Sequence, residues 1–254
     1  MVLAIDIGNT HILLGCFEDR KVLFTELLTT NKTSTDLEYA SLIKSALEFN
    51  GTGFDAIDGS IISSVVPQVT GTIKSAVERF SSVVPLVVGP GVKTGLKIRI
   101  DNPAQLGSDL VVSAVAGIKE YGVPQINIYR GTATAFSLID SEKNFCGTSI
   151  GAGMGIEAEA LSSKTSQLPN IAFETPRKVI GTNTVDSMKS GLIYQNAALI
   201  DGMIDRIEEE YGSKCVLTAT GRYASLVAPL CKHKITVDKD LLLKGLIEVY
   251  YKNQ

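Results

Sequence analysis

The chain opens with an apolar, β-branched run that ends at Asp6, the first residue placed to do chemistry. A turn of Gly8, Asn9 and Thr10 follows, and a second apolar run covers Ile12–Phe17. This pattern predicts a strand, a tight turn and a returning strand. Glycine lets the backbone approach a ligand closely, and the next two residues can donate hydrogen bonds to phosphate oxygens. The carboxylate at the tip can hold a divalent cation, directly or through water. An ordinary hairpin with a polar turn fits the same residues.

A glycine–threonine turn also occurs in the second half of the chain. Gly131, Thr132 and Thr134 follow one apolar run and precede another. Aligning the two turns by their glycines places Tyr129 opposite Asp6. This weak repeat at long period predicts a duplicated α/β domain, and nucleotide phosphates would be held in the cleft between the copies.

Asp109 is a second acid that could take part in a reaction, because it lies at the start of a predicted helix. It follows Gly107 and Ser108 at the start of a predicted helix that runs to about Tyr121. Backbone amides and the helix dipole favour negative charge at such a position. Simple capping of the helix explains the same residue.

The surrounding elements are read from hydrophobic periodicity and turn residues. Three strands, a helix, a strand, a second helix and a short strand are predicted before residue 89, an order that indicates an α/β unit. The segment 89–95 is glycine-rich but lacks the order of a phosphate-binding P-loop, so it is interpreted as a connector. Gly122 and Pro124 mark the expected boundary between domains at 1–121 and 122–254. Later helices are predicted at about 156–162, 184–211 and 239–251.

The composition limits the class of protein. The 254 residues are 44% hydrophobic and 20% charged, which is typical of a globular protein large enough for two modest domains. A net charge of −3 does not support nucleic-acid binding. No apolar run reaches the roughly 18 residues of a membrane span, and the first residues do not read as a secretory signal. The four cysteines form no CxxC pair, and Cys231 with His233 supplies too few ligands for a metal site. These features predict a cytoplasmic location.

Several further motifs occur in a fixed order along nearly the whole chain. They are Asp6-Ile-Gly-Asn-Thr10, Ser64-Val-Val-Pro67, Gly91-Val-Lys-Thr-Gly95, Asn102-Pro103, Leu106-Gly-Ser-Asp109, Gly131-Thr-Ala-Thr134, Gln167-Leu-Pro169, Val179-Ile-Gly-Thr-Asn-Thr184, Ser190-Gly191 and Ala219-Thr-Gly221. In these motifs the chain resembles the type III pantothenate kinases, a family that includes proteins named Bvg accessory factors.

The resemblance implies a fold, a reaction and a set of partners. The fold would be α/β, with two similar domains of the acetate and sugar kinase/actin (ribonuclease H-like) type around a central nucleotide cleft. The reaction would be ATP-dependent phosphorylation of pantothenate to 4'-phosphopantothenate, the first step toward coenzyme A. ATP, Mg²⁺ and a monovalent cation, K⁺ or NH₄⁺, would serve it, and the protein would be a dimer. The composition, rather than the resemblance, predicts that it binds neither nucleic acid nor membrane.

The resemblance also implies roles for the residues at matching positions. Asp109 would be the general base that faces the pantothenate hydroxyl. Gly107 would line the pantothenate site, and Thr184 would contribute to it from the partner subunit or nearby. Asp6 would orient Mg²⁺ and the phosphates. The nucleotide would further contact Gly8, Asn9, Thr10, Gly131, Thr132, Thr134 and, near adenine, Gly221.

The chain departs from the family pattern at several of these places. Tyr129 stands where the family has an acid, and a neutral phenol cannot replace a carboxylate as a cation ligand. Leu110 stands where the family has an arginine, so the expected partner of the pantothenate carboxylate is missing. Arg130 follows Tyr129 and has the geometry to contact phosphate. Further departures are Ile100, Ala135, Ala152 and Arg222.

Four functions therefore remain open from the sequence. The chain is an active pantothenate kinase with an unusual site, or a catalytically impaired subunit that pairs with an intact paralogue. It could also be a binding or regulatory protein that keeps the nucleotide site without transferring phosphate. A kinase for another small alcohol is the fourth, since the arginine expected next to Asp109 is absent.

Overall fold

The computed structural model describes residues 1–254, and these form two units that each contain one mixed β-sheet. The first unit comprises Met1–Leu96, Asp101–Ala116 and Asp240–Gln254, and the second comprises Lys97–Ile100 and Gly117–Lys239. The chain therefore passes between the units four times, after residues 96, 100, 116 and 239.

The first unit is built on a five-stranded sheet. Its elements are β1 (Val2–Ile7), β2 (His11–Glu18), β3 (Lys21–Thr29), α1 (Asp36–Phe49), β4 (Gly59–Ser64), α2 (Pro67–Phe80) and β5 (Leu86–Val87). The strand order is β3-β2-β1-β4-β5, in which the first three strands are antiparallel and β4 and β5 run parallel to β1. Helix α1 begins with a complete capping box between Thr35 and Glu38.

The second unit repeats this order around a six-stranded sheet. Its elements are β6 (Lys97–Ile98), the end of α3 (Ser108–Tyr121), β7 (Gln125–Arg130), β8 (Ala133–Ile139), β9 (Asn144–Ala152), α4 (Met154–Lys164), α5 (Thr184–Tyr211), β10 (Val216–Thr220), α6 (Ala224–Val227) and β11 (Thr236–Val237). The sheet order is β11-β10-β7-β8-β9-β6. Three antiparallel strands followed by two parallel ones thus occur in both units, which confirms the duplicated domain predicted from the two turns.

Asp6 lies near the end of β1, a strand that is buried on both of its faces. Alternate residues point to opposite faces of a strand, and Leu3, Ile5 and Ile7 pack into a core with residues of α1 and α2. Asp6 therefore belongs to the other face, and all six residues of β1 are buried. Helix α7 (Leu241–Lys252) packs on this strand and on its neighbours.

The position of α7 corrects the domain division expected at residue 121. The expected second domain included the last helix because that helix follows it in the chain. In the structure α7 returns to the first unit, where Gly245 packs against the backbone of Val112 and the Tyr250 ring packs against Gly59. Glu248 also lies 3.4 Å from Arg20. The other division falls inside α3, after residue 116, because the first turns of that helix pack in the first unit.

Helix α5 is the longest helix of the second unit. Helix α5 has 28 residues, begins at an Asn183 cap and ends at Gly212, whose φ of 84° suits glycine. The predicted bounds of this helix are confirmed. None of the helices combines the length and apolar character needed to cross a membrane.

Candidate active site

Asp6 is a buried carboxylate at the end of β1, with 5% of its surface exposed. Its neighbour on β4 is Ser63, since the parallel register pairs these two residues. Burial and, to a lesser extent, the charge of Asp109 raise the pKa of Asp6 to about 7, although a hydrogen bond from Ser63 opposes this rise. The Oδ1 atom of Asp6 has no hydrogen-bond partner. Buried acceptors are rarely left unpaired, so this atom is suited to a ligand that the protein itself does not supply.

A serine network brings the second carboxylate to the same place. The Ser108 hydroxyl lies 2.9 Å from that of Ser63, accepts a hydrogen bond from the Ser64 amide at 2.9 Å and donates to the Ser64 carbonyl at 3.0 Å. These bonds fasten the first residue of α3 to the end of β4. Asp109 follows directly, so the network holds it beside Asp6.

Asp109 is held in one orientation by its own helix. The Leu110 amide donates to its Oδ1 atom at 2.9 Å, and burial raises the pKa of this carboxyl despite that bond. A Cβ atom on Gly107 would lie 2.4 Å from the same Oδ1 atom. Any larger residue at position 107 would therefore push the Asp109 carboxylate from its place.

The serines of this network were not among the site residues predicted from the sequence. Ser108 is predicted only to open a helix, Ser64 belongs to a family motif, and Ser63 has no predicted role. A serine that ends a buried strand and another that opens a helix were signals, but only the parallel pairing of β1 with β4 puts them next to Asp6.

The first turn lies next to this acid pair along the chain. The Gly8 amide donates to the His11 carbonyl at 3.0 Å, and the Thr30 hydroxyl donates to the Gly8 carbonyl at 2.7 Å. The turn is thereby tied to the end of β3, while Asn9 and Thr10 remain exposed. A polar, anchored turn of this kind can present donors to a phosphate.

Leu110 occupies the place of the missing arginine and is 6% exposed. Its side chain is apolar and buried. The position therefore supplies no charge to the neighbouring Asp109.

The second turn joins β7 to β8 and is closely packed by other backbone segments. The Gly153 amide donates to the Thr132 carbonyl at 3.0 Å, and a Cβ on Gly153 would lie 2.4 Å from the carbonyl oxygens of Gly131 and Thr132. Gly153 is also the cap residue of α4 and provides no side-chain cap. The turn is therefore next to a helix N-terminus, whose amides favour an anion.

Thr134 and Gly221 support this turn from within the unit. Thr134 is 2% exposed, and its hydroxyl accepts from Arg130 at 2.8 Å and donates to the Ala152 carbonyl at 3.1 Å. Gly221 has a φ of 95°, and a Cβ there would lie 2.5 Å from the Arg130 carbonyl oxygen. Thr184 is the exposed first residue of α5 in the same unit.

Arg130 does not point to the surface, contrary to the phosphate contact that its position suggested. It is 1% exposed, and its Nη2 donates to the Asn196 Oδ1 atom at 2.6 Å. Asn196 in turn donates to Glu157 at 2.6 Å and to the Leu192 carbonyl at 2.8 Å. Arg130 is therefore part of a buried network that joins β7, β8, α4 and α5.

Cys231 and His233 also have partners within the second unit. The Cys231 thiol lies 3.6 Å from the Val227 carbonyl oxygen, and the His233 Nε2 atom lies 2.9 Å from Asp205. No group of three or more histidine, cysteine or acidic side chains forms a metal cluster in the chain.

The two implied cations differ in how well the residues fit them. Asp6 fits Mg²⁺, because it offers an unpaired, buried carboxylate oxygen whose pKa a divalent cation would bring down. The second turn does not fit a monovalent cation. The residue two positions before Gly131 is Tyr129, whose ring packs against that glycine, and the buried Arg130 places a positive charge beside it.

These features define a class of protein. Two units with the same strand order, each with a polar turn at the end of its first strand, form the fold of the actin-like ATPases and sugar kinases. The activator of 2-hydroxyisocaproyl-CoA dehydratase from Clostridium difficile, solved with bound ADPNP, shares this fold with a TM-score of 0.58 and 11% identity, over 99% of this chain and 93% of that one. The ROK hexokinase from Thermus thermophilus gives a TM-score of 0.50 and 11% identity over 100% and 99% of the two chains.

The sequence comparison defines the family more narrowly. Residues 2–206 match the sequence profile of the type III pantothenate kinases. The type III pantothenate kinase of Halalkalibacterium halodurans is 40% identical over 253 residues, which cover 100% of both chains. The chain therefore belongs to the type III pantothenate kinase family, as its motifs predicted.

Proposed function

We propose that this chain transfers the γ-phosphoryl group of ATP to pantothenate and forms 4'-phosphopantothenate, the first step toward coenzyme A. The observation that carries the proposal is the pair of carboxylates, Asp6 and Asp109, held together in the first unit. Both have a raised pKa, and one has an unpaired buried oxygen. The family assignment provides the substrate.

Asp109 has the features of a general base in this reaction. Its Oδ1 atom is engaged by the Leu110 amide, which leaves Oδ2 to accept the proton of the pantothenate hydroxyl. A raised pKa makes the carboxylate a better proton acceptor near neutral pH. Gly107 leaves room for the carboxylate and borders the substrate. Thr184 is proposed to complete the pantothenate site.

Asp6 is proposed to hold Mg²⁺, which would neutralise charge on the phosphates. The ionised form of Asp6 is required for this, and the cation itself favours ionisation. Gly8, Asn9 and Thr10 would position the same phosphates. Phosphoryl transfer depends mainly on such positioning and charge neutralisation.

The second turn is proposed to bind the remaining part of the nucleotide. The phosphates would lie beside Gly131 and Thr132 at the N-terminus of α4, since the Gly131 amide itself donates to the Ala133 carbonyl at 3.0 Å. Gly221 would border the adenine. Thr134 would support the turn rather than contact phosphate, because its hydroxyl is buried and engaged by Arg130 and Ala152.

One observation favours a second candidate function. The buried, apolar Leu110 supplies no partner for the pantothenate carboxylate near Asp109. Phosphorylation of a small alcohol without a carboxylate is therefore the alternative for the active chain.

We further propose that the protein is a cytoplasmic homodimer, with pairing to an intact paralogue as the alternative. Ile150 and Ile180 of the second unit are 65% and 78% exposed, and a partner chain would cover these apolar side chains.

The test is a coupled assay of ADP release by the purified chain with Mg-ATP. Turnover that depends on pantothenate, and that is lost in Asp109→Asn and Asp6→Asn but kept in the exposed Asp55→Asn, would support the kinase function. Turnover only with alcohols that lack a carboxylate would favour the second candidate. Absence of turnover with any alcohol, together with co-purification of a second kinase chain, would show that this chain is the impaired subunit.

A further inference from the structure

Arg130 is the largest fully buried side chain of the protein and lies one residue before the second turn. Its guanidinium joins four elements of the second unit. Nη1 donates to Thr134 on β8, Nη2 donates to Asn196 on α5, and Asn196 continues the chain of bonds to Glu157 on α4. The turn, the strand after it and the helix next to it are all fastened to this one group.

The charge of this guanidinium is poorly compensated inside the unit. Both hydrogen bonds end on neutral oxygen atoms, and the nearest acid in the network, Glu157, is reached through Asn196. The Nε atom is buried without a hydrogen-bond partner. Arginine keeps its proton even when buried, so a fixed positive charge stays beside the turn, and the charge of Glu157 opposes it. A buried charge of this kind is costly unless an opposite charge approaches it.

The same residues are unsuited to hold a free cation. The Tyr129 ring packs against Gly131 and carries no negative charge at neutral pH. A monovalent cation placed at the turn would meet the repulsion of the Arg130 guanidinium in a medium of low dielectric constant. An anionic phosphate at the turn, next to the N-terminus of α4, would be attracted by it.

We infer that the buried Arg130 guanidinium supplies the fixed positive charge at the second turn, so that this chain binds nucleotide phosphates there without a monovalent cation. The inference rests on the proposed function, because it takes the nucleotide to bind at this turn. Arg130 acts through the field and position of the turn and does not contact the phosphate, since its side chain is 1% exposed.

The first measurement is calorimetric binding of Mg-ADP to the full chain in KCl and in tetramethylammonium chloride at equal ionic strength. The expected dissociation constants agree within about twofold. Steady-state turnover measured in the same two salts is expected to agree as well. A loss of affinity of about tenfold or more without K⁺ would overturn the inference while leaving the kinase function intact. Failure to bind Mg-ADP in either salt would overturn the proposed function and the inference together.

The second measurement separates an electrostatic role from a structural one. Glu157→Gln keeps an oxygen that accepts the Asn196 hydrogen bond but removes the negative charge that opposes Arg130. The expected result is Mg-ADP binding about threefold tighter, with an unchanged circular dichroism spectrum. Unchanged or weaker binding by this folded variant contradicts the inference.

Substitution of Arg130 itself completes the test. Arg130→Met should weaken Mg-ADP binding about tenfold or more, whereas Arg130→Lys should bind more tightly than Arg130→Met because it keeps the charge. Arg99→Met is the matched control, since Arg99 is an exposed arginine of the same unit. Equal affinity of the Met and Lys variants would refute the role of charge. If Arg130→Met does not fold, the Glu157→Gln and salt measurements decide the question.

Discussion

Replacement of Asp6 by asparagine should stabilise the protein at alkaline pH while abolishing its turnover. Asp6 is buried beside Asp109, and its pKa rises from 3.8 to about 7 on folding. The folded state therefore holds this proton more tightly than the unfolded state does. The contribution of the neutral carboxyl is complete below the unfolded pKa and is lost as the pH rises through the folded pKa. Asparagine is neutral at every pH and avoids this loss.

The shift sets the size of the effect. A shift of one pKa unit corresponds to about 1.4 kcal/mol, so the full loss for Asp6 is about 4 kcal/mol. Over the practical range from about pH 5 to about pH 8.5 the same linkage gives about 3 kcal/mol. The difference in unfolding free energy between Asp6→Asn and wild type should grow by that amount across the range.

The assay is urea denaturation of both proteins at several pH values, with a chelator present so that no divalent cation binds to Asp6. Asp55→Asn serves as the control for a change of charge at an exposed position. Parallel curves of unfolding free energy against pH for Asp6→Asn and wild type would refute the reasoning. Addition of Mg-ADP should then stabilise wild type more than the variant, because only wild type keeps the carboxylate.

Three further substitutions test the packing that positions the site. Ser108→Ala should lower stability by about 1–3 kcal/mol and reduce kcat, because it leaves the Ser64 amide without its hydrogen-bond partner. A thermal melt measures the stability and steady-state kinetics measure kcat. An unchanged kcat would contradict a positioning role for Ser108. Gly107→Ala should reduce kcat with little change in stability, because its Cβ would displace the flexible Asp109 carboxylate; a wild-type rate would show that the carboxylate has room. Gly245→Ala should cost about 3 kcal/mol of stability, since its Cβ would lie 1.8 Å from the Val112 carbonyl oxygen, a backbone atom that cannot turn away. Chemical denaturation measures this cost, and a loss below about 1 kcal/mol would mean that α7 shifts on α3.

Much of the fold was predictable because local patterns were strong. The helix predicted at 184–211, with Asn183 or Thr184 as its cap, has the bounds of α5, and the structure assigns the cap to Asn183. The two turns and the strands around them indicated the duplication that both sheets confirm. The motifs along the chain were sufficient to predict the type III pantothenate kinase family. The packing of α7 on the first unit could not be predicted from local patterns, because the hydrophobic pattern of an amphipathic helix does not indicate which of two sheets the helix packs on.

The candidate site shows the same division. The sequence by itself determined that Asp6 ends a strand, that Asp109 opens a helix, and that glycines and threonines follow the first strand of each unit. Tertiary structure alone decided that the two acids lie together, through the pairing of β1 with β4 and the Ser108 network. Tertiary structure also decided the position of Arg130. Its place beside the turn motif predicted a contact with phosphate, but the packing of α4 and α5 buries the side chain. Burial and proximity depend on contacts between residues distant in sequence, and these set the pKa values and the charges on which the chemistry depends.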